Sequence, residues 1–159
     1  MTAKFNLFAA APDLMKEWQR AMTQLAAAAN FDPVLTELIK LRASQINGCA
    51  NCINLHVVEA REKGETEQRI YLLPAWHEAP CYSERERAAL AWTDALTRLS
   101  EGREHVSAYE ALKAHFSEAE QVELTMTINI INGWNRIAVG FGLFMDPAEI
   151  RSTAKKAAA

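Results

Sequence analysis

The sequence lacks the long apolar runs and the excess of basic residues that mark membrane-spanning and nucleic-acid-binding proteins. Its longest apolar-rich stretches, 25–29 and 137–145, fall far short of the ~18 to 20 residues that a transmembrane helix needs. The N-terminal residues show no charged segment followed by a sustained apolar core, so we expect no signal peptide. Lys and Arg number 17 against 20 Asp and Glu, a net charge of −3. This balance argues against binding to nucleic acid.

Cysteine is also scarce. The chain has 3 cysteines, an odd count that is too small for a secreted disulfide scaffold. We therefore expect a reducing cytoplasm, in which a close cysteine pair serves catalysis or metal binding rather than structure.

Strand patterns are nearly absent as well, because no segment alternates apolar and polar residues over any length. Alanine is abundant and apolar residues recur at helical spacing, which predicts an all-α fold. With no linker and no repeat, we expect a single domain over 1–159, built from six or seven helices, with a frayed tail at 151–159.

Capping and breaking residues predict where the helices begin and end. The expected helices are about 13–29, 33–46, 49–63, 66–73, 83–102, 106–116 and 117–142. The first of them is expected to bury one face, made of Leu14, Trp18, Met22 and Leu25.

The most informative pattern is a pair of cysteines followed by a histidine. On a helix, Cys49, Cys52 and His56 fall within an arc of about 60°, over two turns. His56 is one turn after Cys52, within reach of its thiol. Both cysteines lie in the first turn, where free amide groups and the helix dipole favour an anion. Because the thiolate is the reactive form, this arrangement indicates a thiol redox centre.

Zinc binding is the main chemical alternative. Its ligands would be the two cysteines and His56, joined by Cys81 or His77. The sequence has no second C-x-x-C and no H-x₃₋₅-H, which structural zinc sites commonly supply. A thioredoxin fold is disfavoured because the residues that precede the pair are helical, whereas its C-x-x-C follows a strand.

The spacing of four residues resembles a known family signature. Glu37, Cys49, Cys52 and His56 reproduce the pattern E-x₁₁-C-x-x-C-x₃-H of the AhpD-like alkylhydroperoxidases, within the carboxymuconolactone decarboxylase superfamily. The likeness extends from about 33 to 142, and its weaker parts are the segments 41–48, 71–76 and 134–136.

The resemblance implies a role for each residue of the signature. Cys52 would attack the peroxide, and Cys49 would then form a disulfide with it. His56 and Glu37 would form, with water, a proton relay that activates the thiols. It also implies an all-helical fold, a hydroperoxide substrate, a dithiol reductant such as a dihydrolipoyl group, no cofactor, and assembly into trimers or hexamers.

The residues themselves leave some of these assignments open. The helix terminus favours Cys49 as the more acidic thiol, whereas proximity to His56 favours Cys52. We follow the resemblance and choose Cys52 as the thiol that attacks the peroxide. Taken alone, Glu37 is a solvated residue at the helix edge, but the spacing favours an inward-facing one. Asn51 departs from family members that carry a second histidine before the second cysteine.

Three further features have structural interpretations. Arg42, within an apolar arc, either forms a buried ion pair or extends to solvent. Cys81 is expected to be a free thiol. The last helix is apolar on most sides, so we expect it to serve both the core and an oligomer contact. Its row of Asn129, Asn132 and Asn135 must then be hydrogen-bonded where it is buried.

The sequence thus predicts a cytoplasmic, cofactor-free thiol peroxidase that acts on hydroperoxides. One alternative is a thiol–disulfide sensor or carrier that uses the same cysteines. The other is a zinc-stabilised helical binding module without catalysis.

Overall fold

The structure, a computed structural model, describes residues 3–102 and 105–146, and within these ranges the chain forms helices and turns but no strand. The predicted all-α class is therefore confirmed. The helices are α1 (Leu7–Ala10), α2 (Pro12–Ala28), α3 (Pro33–Ile46), α4 (Ala50–Glu62), α5 (Glu67–Leu72), α6 (Glu84–Thr97), α7 (His105–His115) and α8 (Glu118–Phe141), with a 3₁₀ turn at Leu73–Ala75. None of the described helices is long and apolar enough to cross a bilayer. The tail that was predicted to fray lies outside the described residues.

The capping residues act as the sequence indicates. Asp32 accepts a hydrogen bond from the amide of Leu35 at 2.8 Å, and Pro33 occupies the first position of α3. The helix runs over the predicted range, 33–46. Ser83 and Ser117 each open a complete capping box, in which the serine and the glutamate three residues later bond each other's backbone amides.

The structure differs from the predicted helices in two places, one additional helix and one earlier helix end. The short helix α1 was not expected, because four residues carry too little periodicity to be recognised. Helix α6 ends at Thr97 rather than near Gly102. The residues after Thr97 form turns, among them a bond from the Glu101 amide to the Arg98 carbonyl at 2.9 Å.

The predicted buried face of α2 is found only in part, since Trp18 and Met22 are half-buried but the other two residues are exposed. Leu14 is 71% exposed and Leu25 38% exposed, whereas Met15 is buried. Trp18 contacts α8, where its ring lies edge-to-face with that of Trp134 at 5.8 Å. The buried side of α2 is therefore rotated away from Leu14 and Leu25, which lie in solvent.

Helix α3 is central to the fold, since it packs against α4, α6 and α8. Leu38, Ile39 and Leu41 are fully buried on it. Arg42 forms a buried, two-pronged ion pair with Asp94 of α6, in which both nitrogen–oxygen distances are 2.6 Å. This confirms the ion-pair interpretation of Arg42.

An amide cluster joins the α3–α4 turn to α8. Asn47 donates from Nδ2 to the Oδ1 atoms of Asn132 and Asn135, at 2.9 and 2.8 Å. Asn135 in turn donates to Ser44 Oγ at 3.1 Å. Asn132 and Asn135 are buried and hydrogen-bonded as predicted, whereas Asn129 is exposed. The cluster fixes the turn that carries the cysteine pair.

Candidate active site

The cysteine pair begins directly after a tight turn. Asn47 ends α3, and Gly48 adopts a positive φ of 63°, a conformation that glycine accepts without strain. Cys49 is the N-cap of α4, where its Sγ accepts a hydrogen bond from the amide of Cys52 at 3.3 Å. The turn thus places the first cysteine at the positive end of the helix dipole.

Cys49 and Cys52 form a disulfide, with their Cα atoms 5.4 Å apart. Both side chains are buried, with exposed fractions of 1% and 4%. They belong to an apolar cluster with Ala43, Ile131 and Ala138, against which Leu143 packs. The sulfur atoms are therefore surrounded by side chains from three elements of the fold rather than lying at an open surface.

His56 lies one turn after Cys52 on α4 and is 7% exposed. Its Nδ1 atom is 2.9 Å from Glu37 Oε2 and 3.1 Å from Glu59 Oε2. Ionised carboxylates only accept hydrogen bonds, so Nδ1 carries the hydrogen. Within the described part of the chain, Nε2 has no protein hydrogen bond and is the basic nitrogen of the neutral ring.

Glu37 is fully buried, and it is therefore not a solvated helix-edge residue. One carboxylate oxygen, Oε2, bonds His56. The other, Oε1, accepts from Lys40 Nζ at 3.0 Å and also from Lys63 Nζ. A buried carboxylate is thereby held between an imidazole and two ammonium groups.

These contacts set the charge states of the Glu37–His56 pair. Burial favours the neutral form of Glu37, but its charged partners outweigh this effect and hold the pKa of Glu37 well below its usual range. These partners are His56, through its hydrogen bond and charge, Lys40, through its charge, and Lys63, through its hydrogen bond. Burial likewise works to lower the pKa of His56, but its hydrogen bonds to Glu37 and Glu59 prevail and raise it. The geometry favours an ionised glutamate beside a readily protonated histidine.

Three residues of this network escaped the sequence analysis. Glu59 lies three residues after His56, and Lys40 three after Glu37, so helical spacing could have indicated both. Lys63 lies 26 positions from Glu37 in sequence. No local pattern indicates that contact, because it depends on how α4 packs on α3.

The zinc set proposed from the sequence is not brought together. Cys81 is a free thiol, as predicted, and packs against a different core cluster from that of the cysteine pair. The side chain of His77 is 66% exposed. Across 3–102 and 105–146, the group of three possible ligands within 4.8 Å of one another is Glu37, His56 and Glu59. Since Glu37 already binds two ammonium groups, this group is better suited to moving protons than to holding a cation.

A segment after α8 packs against the cluster that contains the cysteine pair. We call residues 142–146 the C-terminal strap; it starts at Gly142, which has a φ of 70°. Asn51 Oδ1 accepts from the Met145 amide at 2.7 Å, and Asn54 Nδ2 donates to the Met145 carbonyl at 3.0 Å. Asn51, between the two cysteines, therefore holds the strap in place, at the position where some members of the resembled group carry histidine.

Comparison with known proteins identifies relatives of this chain. The model of the carboxymuconolactone decarboxylase family matches residues 12–95. YdfG of Bacillus subtilis, an uncharacterised protein, is 39% identical over 142 residues, which are 89% of this chain and 96% of YdfG. ATU0492 of Agrobacterium tumefaciens, a protein of unknown function with a suggested AhpD-type role in antioxidant defence, has a crystal structure that matches with a TM-score of 0.86 and 42% identity, covering 91% of this chain and 99% of its own.

The same fold also occurs in a more distantly related structure. The debrominase Bmp8 matches with a TM-score of 0.76 at 20% identity, over 90% of this chain and 77% of its own. At that identity the likeness shows the shared fold alone. The match to the family model and the similarity to YdfG over nearly the full length are more specific. The chain belongs to the carboxymuconolactone decarboxylase family.

Proposed function

We propose that this protein is an AhpD-like thiol peroxidase that reduces organic hydroperoxides through the Cys49–Cys52 pair. One observation carries the proposal: a redox-capable cysteine pair is buried at the start of α4, one turn before a histidine that is hydrogen-bonded to an ionised, buried glutamate. Family membership and the similarity to ATU0492 support the same chemistry.

The catalytic cycle begins with both cysteines reduced. The Cys52 thiolate attacks the terminal oxygen of the hydroperoxide, the O–O bond breaks, and the alkoxide takes a proton and leaves as an alcohol. Cys52 is then a sulfenic acid. The Cys49 thiolate attacks its sulfur, a disulfide forms, and the departing hydroxide takes up the proton that Cys49 had lost and leaves as water. A dithiol, for which a dihydrolipoyl group is the candidate, reduces the disulfide and becomes a disulfide itself.

His56 and Glu37 supply the proton transfers. Nε2 of His56 accepts the Cys52 proton, either directly or through a water molecule, and returns it to the departing alkoxide. The bonds to Nδ1 fix the tautomer that leaves Nε2 free. Glu37 stays ionised between Lys40 and Lys63, so it stabilises the imidazolium without taking its proton.

The two cysteines have different surroundings, which supports different roles. Cys49 Sγ receives the amide hydrogen bond of the N-cap, a contact that stabilises a thiolate and makes a good leaving group or resolving nucleophile. Cys52 lies one turn from His56, whereas Cys49 lies two turns away. We therefore assign peroxide attack to Cys52 and resolution to Cys49.

Intact mass spectrometry tests the proposal. Reduced, metal-free protein is treated with one equivalent of an alkyl hydroperoxide, and peroxide loss is followed in parallel. We expect rapid loss of two hydrogens, matched by peroxide consumption and mapped to Cys49–Cys52. Cys52→Ser should abolish turnover, Cys49→Ser should allow one attack without a disulfide, and Cys81→Ser is the matched control.

Other results would exclude the proposal or revise it. Full turnover by Cys52→Ser would reverse the assignment of roles. Oxidation no faster than that of an ordinary thiol would exclude a peroxidase. If the pair then exchanged rapidly with a dithiol substrate, the protein would be a thiol–disulfide carrier.

We further infer that the protein acts in the cytoplasm as a homo-oligomer, a trimer or hexamer. Exposed apolar side chains on α8 support self-association: Val122 is 63% exposed, Met126 37% and Val139 52%. Light scattering coupled to size-exclusion chromatography measures the subunit number. A monomer at micromolar concentration would contradict the inference.

A further inference from the structure

A cavity lies beside the two lysines that bind Glu37. Its volume is about 210 Å³. Apolar walls are supplied by Ala29, Phe31 and Ile130, which come from the end of α2, the segment after it, and α8. Lys40 and Lys63 also line it. The cavity therefore combines an apolar interior with two ammonium groups.

The lysines bring more positive charge than their partner neutralises. Both Nζ atoms donate to the same oxygen, Glu37 Oε1. Two cations thus share one carboxylate at the cavity. Each ammonium has three hydrogens and uses one on Glu37, so both have donors left for a ligand. Their side chains are 20% and 37% exposed, which leaves them accessible.

The other polar side chains that line the cavity have no hydrogen left to donate to a ligand. The hydroxyls of Thr36 and Thr127 line it, and both donate to backbone carbonyls of their own helices, at 2.9 and 3.0 Å. Asp32 and Glu123 do not line the cavity, and their carboxylates accept backbone amide hydrogen bonds from Leu35 and Asn30. The free donors are therefore those of the two lysines, which selects for an anionic ligand group.

We propose that this cavity binds a small alkyl carboxylate. Its carboxylate would pair with Lys40 and Lys63, and its hydrocarbon chain would lie against the apolar walls. Such binding uses charge-assisted hydrogen bonds and apolar burial together. An alcohol of the same chain length shares the apolar burial but lacks the charge-assisted hydrogen bonds, and the ammonium group of an amine is repelled by the lysines.

The cavity is also connected to the candidate active site. The lysines that would hold the ligand are those that hold Glu37, whose other oxygen binds His56. Occupancy would redistribute charge around the proton relay. That effect on turnover rests on the proposed function, whereas binding does not, so binding is measured on the disulfide form without any peroxide.

Calorimetric titration with three ligands of equal chain length tests the proposal. Hexanoate should bind roughly tenfold more tightly than 1-hexanol, a difference of about 1.4 kcal/mol. Hexylammonium should not bind. Equal affinities for hexanoate and hexanol, or no binding of hexanoate at millimolar concentrations, would overturn the proposal.

Variants separate the charged end from the apolar walls. Lys63→Met keeps the aliphatic stem, and it should abolish the preference for hexanoate over hexanol. Ala29→Phe introduces a ring into the cavity and leaves both lysines in the sequence, and it should weaken the binding of both ligands. Lys113→Met, which breaks a lysine–glutamate pair elsewhere on the surface, is the matched control and should leave binding unchanged. Loss of binding in that control, or an unchanged preference in Lys63→Met, would show that hexanoate binds at another place.

Discussion

Replacement of Asp94 tests how strongly the buried ion pair holds α3 to α6. The side chains of Arg42 and Asp94 are only 8% and 6% exposed, and their atoms meet at 2.6 Å in two places. Asp94→Ala leaves the guanidinium buried with no counter-ion. Removing one partner of such a pair costs roughly 3–5 kcal/mol, because the remaining charge is still excluded from water.

Urea denaturation followed by circular dichroism measures this loss. With an m value of about 1–3 kcal/mol/M, the midpoint should fall by roughly 1–5 M. Asp94→Asn should cost less, since an amide oxygen still accepts from Arg42. Added salt should change neither result much, because buried charges are poorly screened.

Arg98→Gln is the matched control, since Arg98 Nη1 also contacts Asp94, at 3.2 Å, but its side chain is 36% exposed. Its loss should stay within about 1 kcal/mol. A fall of less than about 1 kcal/mol for Asp94→Ala would refute the reasoning and show that water reaches Arg42. Replacing both partners with Arg42→Met and Asp94→Leu should restore most of the stability, because the unpaired charge is then absent.

Three other perturbations have definite expected outcomes. The pKa of Glu37 is depressed from its ordinary 4.5, so Glu37 stabilises the fold above pH 4.5 and loses this effect on acidification, whereas the pKa of His56 is raised from 6.5, so His56 stabilises the fold below pH 6.5 and loses this effect as the pH rises through its raised pKa. In Glu37→Gln, the free energy of unfolding should therefore depend less on pH at both the acidic and the basic end. An unchanged pH profile would contradict the pairing. Asn51→Ala removes one hydrogen bond to the C-terminal strap, worth about 1 kcal/mol, so the reduced Cys49–Cys52 pair should be alkylated roughly fivefold faster, while Cys81 reacts as before. Equal alkylation rates of the pair in the variant and the parent protein would show that the strap does not limit access. Gly133→Ala places a Cβ 2.9 Å from the Trp18 ring, so thermal unfolding should show a loss of about 1–3 kcal/mol, and an unchanged Tm would mean that the ring moves freely.

Local signals in the sequence were sufficient to predict most of the helices. Asp32 and Pro33 begin α3, and Asn47 with Gly48 ends it, because caps and breakers act within a few residues. The extent of burial was less predictable. Leu14 follows a helical apolar pattern, yet it is exposed, because a pattern shows what a helix can bury and not how much of it meets a partner.

The candidate site was predictable to the same degree. Cys49, Cys52 and His56 lie on one helix, so their common face follows from the spacing. The contact between His56 and Glu37 joins two helices, and only the family resemblance indicated it. Lys63 was missed because its contact with Glu37 depends on the crossing of α3 and α4, which no single-helix pattern encodes.

The amide cluster at the α3–α4 turn also has a consequence for the chemical lifetime of the protein. An asparagine followed by glycine is prone to deamidation, in which the glycine nitrogen attacks the side-chain carbonyl and ammonia is lost. Here Nδ2 of Asn47 donates to two amide oxygens of α8, and the Gly48 amide donates to the Gln45 carbonyl at 3.2 Å. Both reacting groups must break these bonds before they can meet. Asn47 should therefore deamidate slowly in the folded protein, although the same Asn-Gly sequence would deamidate readily in the unfolded chain.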